Sequence, residues 1–383
     1  ENSFLNSSEN TKSDLVIYNP NSSNWKKIPI EIKLYFKPGF MANNFEVYNN
    51  GKKIQSQLED IKFFKNGYIR SAMLVFTPSI PKRSQIDITL RESDNKPNSE
   101  TKLKNLIKTK SVEILLGKTG GSIENIAFPT ITGKPMINST KYSRHKNPSQ
   151  ANLLSGQIFT VNRDGNKFDD LIETEIISEG ENLPIRKKFS CSLELPFGDL
   201  TKIFYVYENI PRIDLRYIFN FKDYRPGIFR INLMNLNSNS FQTDSFSYST
   251  NNGGNLELFS LKESVSHDKP TNSKISTTCC LGSTNCFLDV GDKNYGVTIY
   301  SNNAECYSVP MINFKKSNKI PLHIVYSMCE LDDTTLTWWK GKKEISFSIL
   351  GRKDSLIQTK GLCESLFLGL ISKSNNPNIT VKN

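Results

Sequence analysis

The sequence predicts an all-β protein, with a small β-sandwich followed by one very large antiparallel sandwich. Apolar and polar residues alternate along most of the chain, which is the period-two pattern of strands that bury one face. Turn-forming sequences separate these runs, whereas amphipathic runs with helical spacing are nearly absent. Aromatic residues make up 10% and apolar residues 37% of the chain, which supports a large core and argues against global disorder.

Three runs show the alternation most clearly. Residues 28–36 read IPIEIKLYF and place five apolar side chains on one face, and residues 212–221 and 343–350 repeat this pattern. Asn50-Gly51 and Asn66-Gly67 are dipeptides typical of tight hairpin turns, so we expect each of them to join strands. Short helical pieces are expected only near residues 103–107 and 364–370.

One polar segment interrupts the pattern and predicts a domain boundary. Residues 91–110 contain a proline and many charged residues and lack a sustained alternation. A unit of the size that precedes this segment fits a small sandwich, and no comparable segment follows it. We therefore predict a small sandwich over residues 1–95, a linker over 96–110 and a large β-domain over 111–383.

The charge balance excludes some partners and leaves the compartment open. The formal net charge is +11, and the only local basic cluster, residues 102–110, matches no nucleic-acid-binding motif. We therefore expect a solvated basic surface, no nucleic-acid partner and no membrane span, because no apolar run approaches the required ~18–20 residues. Since Glu1 is not a methionine, we expect a processed chain. Localisation is unknown from the sequence, with periplasmic or secreted placement favoured.

The motifs of common cofactor and metal sites are incomplete. The three histidines are isolated from one another in the sequence, and the seven cysteines include no paired CxxC spacing, so we expect no metal site. Gly117-Lys118-Thr119 is part of a phosphate-loop motif, but Val112 stands where that motif needs a glycine. We expect a glycine-rich hairpin there instead, and no cofactor in this chain.

Acids, an imidazole and large aromatic rings concentrate in two predicted loops. Carboxylates can bind sugar hydroxyls and serve in acid–base chemistry, and aromatic rings stack on the apolar face of a pyranose. Because neighbouring residues of a strand face opposite sides, only one of two adjacent tryptophans can enter the core. We predict a sugar site beside the segment from residue 330 to 339, with a second wall near residue 267, formed by Glu330, Asp332, Asp333, Trp338, Trp339, His267 and Asp268.

Two other functions fit the same sequence. A stand-alone polysaccharide-active enzyme, either a lyase or a hydrolase, is the first alternative. A lyase uses Tyr, His or Lys as base and Arg to hold a uronate, for which Tyr224, Arg225, Arg230, His267 and Lys269 are candidates. A protein-interaction scaffold that has no glycan role is the second alternative.

Short phrases along the chain resemble, in order, the C-terminal β-sandwich half of glycoside hydrolase family 38, the α-mannosidases. Asn19-Pro20 followed by Trp25 is similar to the opening of that half. Residues 209–215 (NIPRIDL) and 295–300 (YGVTIY) are similar to two of its later strands. The resemblance covers the chain from about residue 15 to about residue 350.

This resemblance implies a galactose-mutarotase-like supersandwich for the large domain and a carbohydrate partner, a mannoside or another glycan. The family's zinc and its nucleophilic aspartate belong to an α/β domain that has no counterpart motif here, and His267-Asp268 lacks the residues that follow it in the family's phrase. We therefore expect the chain alone to be non-catalytic, to bind glycan or to support a glycoside hydrolase. A separate catalytic α/β domain would then be a partner of this chain, and the zinc would be bound by that domain. Lyases share the supersandwich fold, which keeps that alternative open.

Overall fold

The protein is built almost entirely of antiparallel β-strands. The computed structural model describes residues 13–38, 44–93, 101–139, 154–180, 182–251, 256–262, 286–302, 307–314, 322–330, 337–353, 371–375 and 377–382. Within these ranges, the only helical elements are two 3₁₀ turns, Ser238–Ser240 and Thr243–Ser245. The predicted all-β class is therefore confirmed. Among the same residues, no helix is long and apolar enough to span a membrane.

The chain divides into two compact units. The first comprises Glu1–Ser99, Asn182–Ile185 and Lys360–Asn383, and the second comprises Glu100–Glu181 and Arg186–Thr359. We call them the small unit and the large unit. Each has its own apolar core, because each has sheets that bury one face.

The small unit packs strands from three sheets around a compact core. The strand at Ile30–Phe36 buries every second side chain, as its sequence alternation predicts, and Phe36 contacts the ring of Phe45 at 5.6 Å between centroids. In chain order its strands are β1 (Leu15–Asn19), β2 (Trp25–Lys26), β3 (Ile30–Phe36), β4 (Phe45–Asn49), β5 (Lys52–Ile54), β6 (Ser56–Phe63), β7 (Ile69–Phe76), β8 (Ser79–Ile80) and β9 (Ser84–Glu92).

The large unit contains the remaining internal strands. Its first half comprises β10 (Thr101–Leu103), β11 (Leu106–Lys108), β12 (Glu113–Leu116), β13 (Ile123–Ala127), β14 (Pro135–Asn138), β15 (Gln157–Asn162), β16 (Lys167–Asp169), β17 (Ile177–Glu179), β18 (Arg186–Leu195) and β19 (Gly198–Tyr207). Its second half comprises β20 (Arg212–Tyr224), β21 (Pro226–Leu236), β22 (Ser247–Asn251), β23 (Leu256–Ser260), β24 (Phe287–Gly291), β25 (Tyr295–Asn302), β26 (Val309–Phe314), β27 (Leu322–Cys329) and β28 (Trp339–Lys353).

Two broad sheets form this large unit and enclose one core. The ten-stranded sheet has the order β10-β17-β18-β19-β20-β28-β25-β24-β22-β23. The nine-stranded sheet runs β11-β12-β13-β14-β21-β15-β16, with β27 added to β21 and β26 added to β27. Phe204, Leu215 and Phe347 of the first sheet belong to the same buried cluster as Ile114 and Ile231 of the second. This is the very large sandwich that the sequence predicts.

The structure differs from the predicted domain limits at both ends of the large unit. The segment predicted as a linker, 96–110, contains β10 and β11, which are edge strands of the two large sheets. The prediction of a short helix near residues 103–107 is wrong, because β10 and β11 occupy this part of the chain. Strands of three residues are too short to show a recognisable alternation, whereas their pairing, such as Ile107 opposite Ile114, stabilises them.

The second difference concerns the end of the predicted domain 111–383. Its final strands, β29 (Ile371–Ser374) and β30 (Ile379–Lys382), pair with β1 and β3 and thus belong to the small unit. The small-unit sheets have the orders β29-β1-β9-β4-β5, β30-β3-β7-β6 and β2-β8. The helical piece expected near residues 364–370 lies outside the described residues.

Candidate functional site

The two adjacent tryptophans lie in different environments. Trp339 begins β28, is 8% exposed and packs against Phe221 and Phe229, with ring centroids 5.1 and 5.0 Å away. Trp338, one residue earlier, is 58% exposed. Period two along a strand places one indole in the core and leaves the other accessible to a ligand.

The exposed indole of Trp338 is held by two charged neighbours. Its Nε1–H donates to the carboxylate of Asp223, and the guanidinium carbon of Arg225 lies 4.1 Å from its ring centroid. Asp223 and Arg225 are the neighbours of the buried Tyr224 at the junction between β20 and β21, and both of their side chains are exposed. A cation–π contact of this kind contributes about 0.5–1 kcal/mol at an exposed site. The ring is therefore oriented before any ligand arrives.

Glu330 forms a forked ion pair with Arg230. Arg230 Nε and Nη2 each donate to one carboxylate oxygen at 2.7 Å, and Ser327 Oγ adds a third hydrogen bond at 2.5 Å. Arg230 is mostly buried, whereas the carboxylate is well exposed. Two parallel hydrogen bonds fix the plane of the carboxylate. These bonds use three of about four lone-pair sites, so the exposed carboxylate can accept one further hydrogen bond from a hydroxyl group.

Phe229 connects these two features. Its ring contacts Trp339, and its backbone position lies opposite Cys329, the residue before Glu330. Trp338 contacts Arg225, the residue before β21, and Glu330 pairs with Arg230 of β21, so both lie near the first half of this strand. We call Asp223, Arg225, Arg230, Glu330 and Trp338 the tryptophan edge.

Four of the predicted site residues belong to segments outside the described ranges. Asp332, Asp333, His267 and Asp268 all lie outside the described residues, as does the lyase candidate Lys269. The second wall of the predicted sugar site therefore remains a prediction.

The lyase candidates that are described do not form a base beside an anion-binding arginine. Tyr224 is buried, its hydroxyl is 2.6 Å from Thr160 Oγ1, and burial raises its pKa to about 12. Arg225 stacks on Trp338, and Arg230 holds Glu330. A general base must reach the proton that it removes, and Tyr224 faces the core instead.

The described histidine does not make a metal site. His323 is buried in β27, and its Nδ1 is 2.7 Å from the side-chain oxygen of Asn235. Across the part of the chain that the structure describes, no group of three or more His, Cys, Asp or Glu side chains is placed to hold a metal ion. The described residues therefore do not fit the zinc that the family resemblance implies for its catalytic domain.

Sequence reasoning missed a charged pair inside the large core. Lys202 Nζ lies 2.5 Å from Asp170 Oδ2 and donates to the carbonyl oxygens of Gly120 and Gly156 at 2.6 and 2.8 Å. Both charged side chains are fully buried. Desolvation raises the pKa of Asp170, while Lys202 opposes that rise. The buried ammonium group thus donates to two carbonyl oxygens and has the Asp170 carboxylate as its counter-ion.

The glycine-rich turn of residues 117–121 makes room for this pair. It joins β12 to the antiparallel strand β13, so the expected glycine hairpin is confirmed. Gly120 has φ +64°, and a Cβ there would lie 2.3 Å from the carbonyl oxygen of Asp170. At Gly121, φ +57°, a Cβ would lie 2.3 Å from Cys191 Sγ. Side chains at these positions would prevent the turn from approaching Asp170 and Lys202.

Sequence reasoning also missed an arginine–tyrosine stack on the other face of the ten-stranded sheet. Each of its guanidinium carbons lies 4.0–5.7 Å from the centroid of a tyrosine ring, and the order is Arg216, Tyr205, Arg186, Tyr207 and Arg212. These residues come from three neighbouring strands, β18, β19 and β20. We call these five residues the arginine–tyrosine stack.

A cavity of about 450 Å³ opens beside the edge strand β10. Lys104, Lys118, Glu173 and Glu175 are among the eight residues that line it. None of the eight is aromatic, so this cavity has no ring on which a sugar could stack. The tryptophan edge is therefore the better candidate for a sugar site.

No protein-family model matches the chain, and no curated protein matches it. Among solved structures, an α-mannosidase from Enterococcus faecalis is similar, with a TM-score of 0.57 at 11% identity, over 94% of this chain and 46% of that chain. A glycosyl hydrolase family 38 protein from Enterococcus faecalis has a TM-score of 0.55 at 12% identity, over 94% and 47%. A putative aldose 1-epimerase from Klebsiella pneumoniae has a TM-score of 0.47 at 8% identity, over 89% and 96%.

The chain thus spans about half the length of the two Enterococcus faecalis proteins. The likeness covers both compact units, because nearly the whole chain is matched. At this level of identity it is a likeness of fold. The resemblance to the β-sandwich region of family 38 enzymes, inferred from short sequence phrases, is confirmed in that sense.

Proposed function

We propose that this chain is a carbohydrate-associated β-sandwich protein that binds a neutral glycan, a mannoside or a related sugar, at the tryptophan edge. The observation that carries the proposal is the exposed Trp338, oriented by Asp223 and Arg225. The fold adds support, since similar solved structures include an α-mannosidase. The proposal extends from the likeness of fold to a ligand and a site.

The chemistry of the edge suits a pyranose. Arg225 occupies one face of the Trp338 ring, which leaves the opposite face for the C–H groups of a sugar. Stacking on an aromatic ring is worth about 0.5–1.5 kcal/mol beyond the buried area. Glu330 accepts hydrogen bonds from hydroxyl groups, and Arg230 keeps its carboxylate in a fixed plane. A few oriented polar groups beside one apolar platform are typical of ligand sites.

Binding by the full chain to α-linked mannan oligosaccharides, measured by calorimetry, tests the site. We expect Trp338→Ala to weaken binding at least about fivefold, which corresponds to the loss of one stacked ring. Its melting temperature should stay near that of the wild type, because the side chain is exposed. Phe63→Ala removes another exposed aromatic ring, from β6 of the small unit, and is the matched control.

The site assignment would be wrong if the Trp338→Ala variant bound mannan as tightly as the wild type. It would also be wrong if Phe63→Ala weakened binding by the same factor as Trp338→Ala. Trp339→Ala should instead lower the melting temperature, because Trp339 packs on Phe221 and Phe229.

We further propose that the chain supports a glycoside hydrolase and does not itself cleave glycosides. Two described candidates for an acid, base or nucleophile already have protein partners, because Tyr224 pairs with Thr160 and Glu330 with Arg230. Incubation of the chain with aryl α-mannosides, with added zinc and with a chelator, should give no turnover. Turnover that a chelator abolishes would contradict this part of the proposal.

A further inference from the structure

A row of polar side chains crosses the ten-stranded sheet near the tryptophan edge. Glu194 of β18 lies opposite Asp199 of β19, and Asp199 lies opposite Asn220 of β20. Asn220 in turn lies opposite Lys342 of β28. Residues that face each other across antiparallel strands share one side of a sheet, so these four side chains form one line across four strands. We call them the polar row.

The polar row lies on the face of the sheet that points away from the core. Leu193 and Leu195, on either side of Glu194, are buried in the large core, as are Phe219 and Phe221 on either side of the asparagine of the row. All four members of the row are exposed. Within the described part of the chain, their side chains have no hydrogen bond or ion pair with another residue. Their polar groups are therefore available to a ligand.

The polar row and the tryptophan edge occupy neighbouring parts of the same two strands. Trp338 comes four residues before Lys342, and the intervening Lys340 is also exposed. On the adjacent strand, Asp223, which accepts from Trp338, comes three residues after Asn220. At about 3.3 Å per residue, the row begins about 13 Å from Trp338. A ligand longer than one or two sugar units can therefore reach from the indole to the row.

The row offers each kind of hydrogen-bonding group that sugar hydroxyls need. The ammonium group of Lys342 only donates, whereas the amide of Asn220 donates and accepts. The carboxylates of Asp199 and Glu194, when ionised, only accept. Neighbouring strands are about 4.8 Å apart, which is comparable with the length of a pyranose ring, so successive groups can meet successive sugar units. The half-buried Ile218, two residues before Asn220 on the same face, adds apolar surface for C–H groups.

The two carboxylates of the row favour a neutral ligand. Glu194 and Asp199 face each other directly, and like charges at such positions destabilise a sheet. Hydroxyl groups that donate to both carboxylates offset this repulsion, whereas an acidic sugar would increase it. The row thus suits the same class of neutral glycan as the tryptophan edge.

We propose that the polar row binds further units of the glycan chain whose first sugar stacks on Trp338, so that the ligand is a neutral oligosaccharide and not a single terminal sugar. This inference rests on the proposed function, because a sugar at Trp338 sets where the chain starts. It requires that affinity rises with the length of the glycan, and that only long glycans contact Asn220 and Lys342.

Calorimetry on the full chain, with α-mannobiose and α-mannotetraose as probes, tests this length dependence. We expect the tetraose to bind about tenfold or more tightly than the biose. Asn220→Ala and Lys342→Ala should each weaken tetraose binding about threefold or more and change biose binding by less than about 1.5-fold. Both side chains are exposed, so the melting temperatures should stay near that of the wild type.

Lys62→Ala is the matched control for Lys342→Ala, because Lys62 is an exposed lysine of β6 in the small unit. It removes the same charge and should leave the binding of both probes unchanged. Equal weakening by Lys62→Ala and Lys342→Ala would show an effect of net charge alone and overturn the inference. Equal affinity for the two probes would overturn it as well, and so would unchanged tetraose binding by both row variants.

Trp338→Ala separates this inference from the proposed function, because it should weaken the binding of both probes. If it does so while Asn220→Ala and Lys342→Ala have no effect, only the polar row is wrong. If Trp338→Ala leaves both probes unchanged, the proposed site is wrong, and the chain cannot start there as the inference requires. Absence of binding by both probes up to about 5 mM would overturn both proposals.

Discussion

Charged side chains occur on both faces of the ten-stranded sheet, and Lys202 on the core face is held differently from the arginines of the arginine–tyrosine stack on the other face. On the core face, Lys202 is fully enclosed, and its three donors meet Asp170 and two carbonyl oxygens. On the opposite face, Arg186, Arg212 and Arg216 stack on tyrosine rings, and the two outer arginines, Arg212 and Arg216, are more exposed than the central Arg186. An enclosed charge has to be matched completely by the protein, whereas a partly exposed charge is also solvated by water.

The largest expected effect breaks the enclosed pair. Lys202→Met leaves the buried Asp170 without its cationic partner, and we expect a loss of about 4 kcal/mol in the free energy of unfolding, measured with urea. Lys202→Met combined with Asp170→Leu removes both charges and should recover most of that loss. As a control, Lys53→Met removes one partner of the exposed pair with Glu46 and should produce no measurable change. A double variant as unstable as the single one would contradict this account.

A pair of neighbouring residues compares the two faces directly. Phe347 is buried on the core face against Tyr217 and Tyr326, with ring centroids 6.2 and 4.7 Å away, whereas Ser348 points to the opposite face. Phe347→Ala should lower the free energy of unfolding by about 3 kcal/mol. Ser348→Ala removes one long hydrogen bond from Arg212 and should lower it by no more than about 1 kcal/mol. Comparable losses in the two variants would mean that both faces are packed alike.

Alkaline titration sharpens the comparison for a core-face tyrosine. Burial raises the pKa of Tyr224 from 10.0 to about 12, so the folded state keeps this proton at a pH where the unfolded chain has lost it. The contribution to stability is complete below pH 10 and is lost as pH rises through about 12. The free energy of unfolding should fall by about 2–3 kcal/mol over this interval. Tyr224→Phe should remove that part of the slope, and an unchanged slope would place the titration elsewhere.

The smallest effect is expected at the half-exposed end of the arginine–tyrosine stack. Glu344 lies 3.9 Å from Arg216, and both side chains retain contact with solvent. Glu344→Gln should therefore change the free energy of unfolding by no more than about 0.5 kcal/mol, measured by the same urea titration. A loss as large as that of Lys202→Met would show that this end is organised as tightly as the core.

The fold class was predictable because strands such as β3, β20 and β28 alternate along their own length. The partners of each strand were not, since pairing depends on contacts between distant segments. β10 and β11 show this limit: with three residues each, they have no pattern of their own, and only their pairing with β17 and β12 defines them.

The position of Lys202 in its strand was enough to predict that its side chain lies on the core face. It occupies the same phase of β19 as Leu200 and Phe204, which are both buried, so a charge on the core face could have been inferred. Its partner Asp170 could not, because it comes from a loop after β16 that no local pattern links to β19. The opposite orientation of Trp338 and Trp339 was predictable, because successive side chains of a strand point to opposite faces. The contacts of Asp223 and Arg225 with Trp338 were not, because they depend on how β20 ends.

The pairing of β29 with β1 and of β30 with β3 affects how the protein assembles during synthesis. The ribosome releases β1 and β3 early, but their partners emerge only after the whole large unit has been made. Until then, two strands of the small unit expose unpaired backbone groups, which are potential sites for pairing with other chains. The small unit must also close a very long loop, a feature associated with slow folding. The strands of the large unit are contiguous in sequence except for residues Asn182–Ile185, which belong to the small unit. The large unit can therefore complete its folding before the last strands of the small unit have been synthesised.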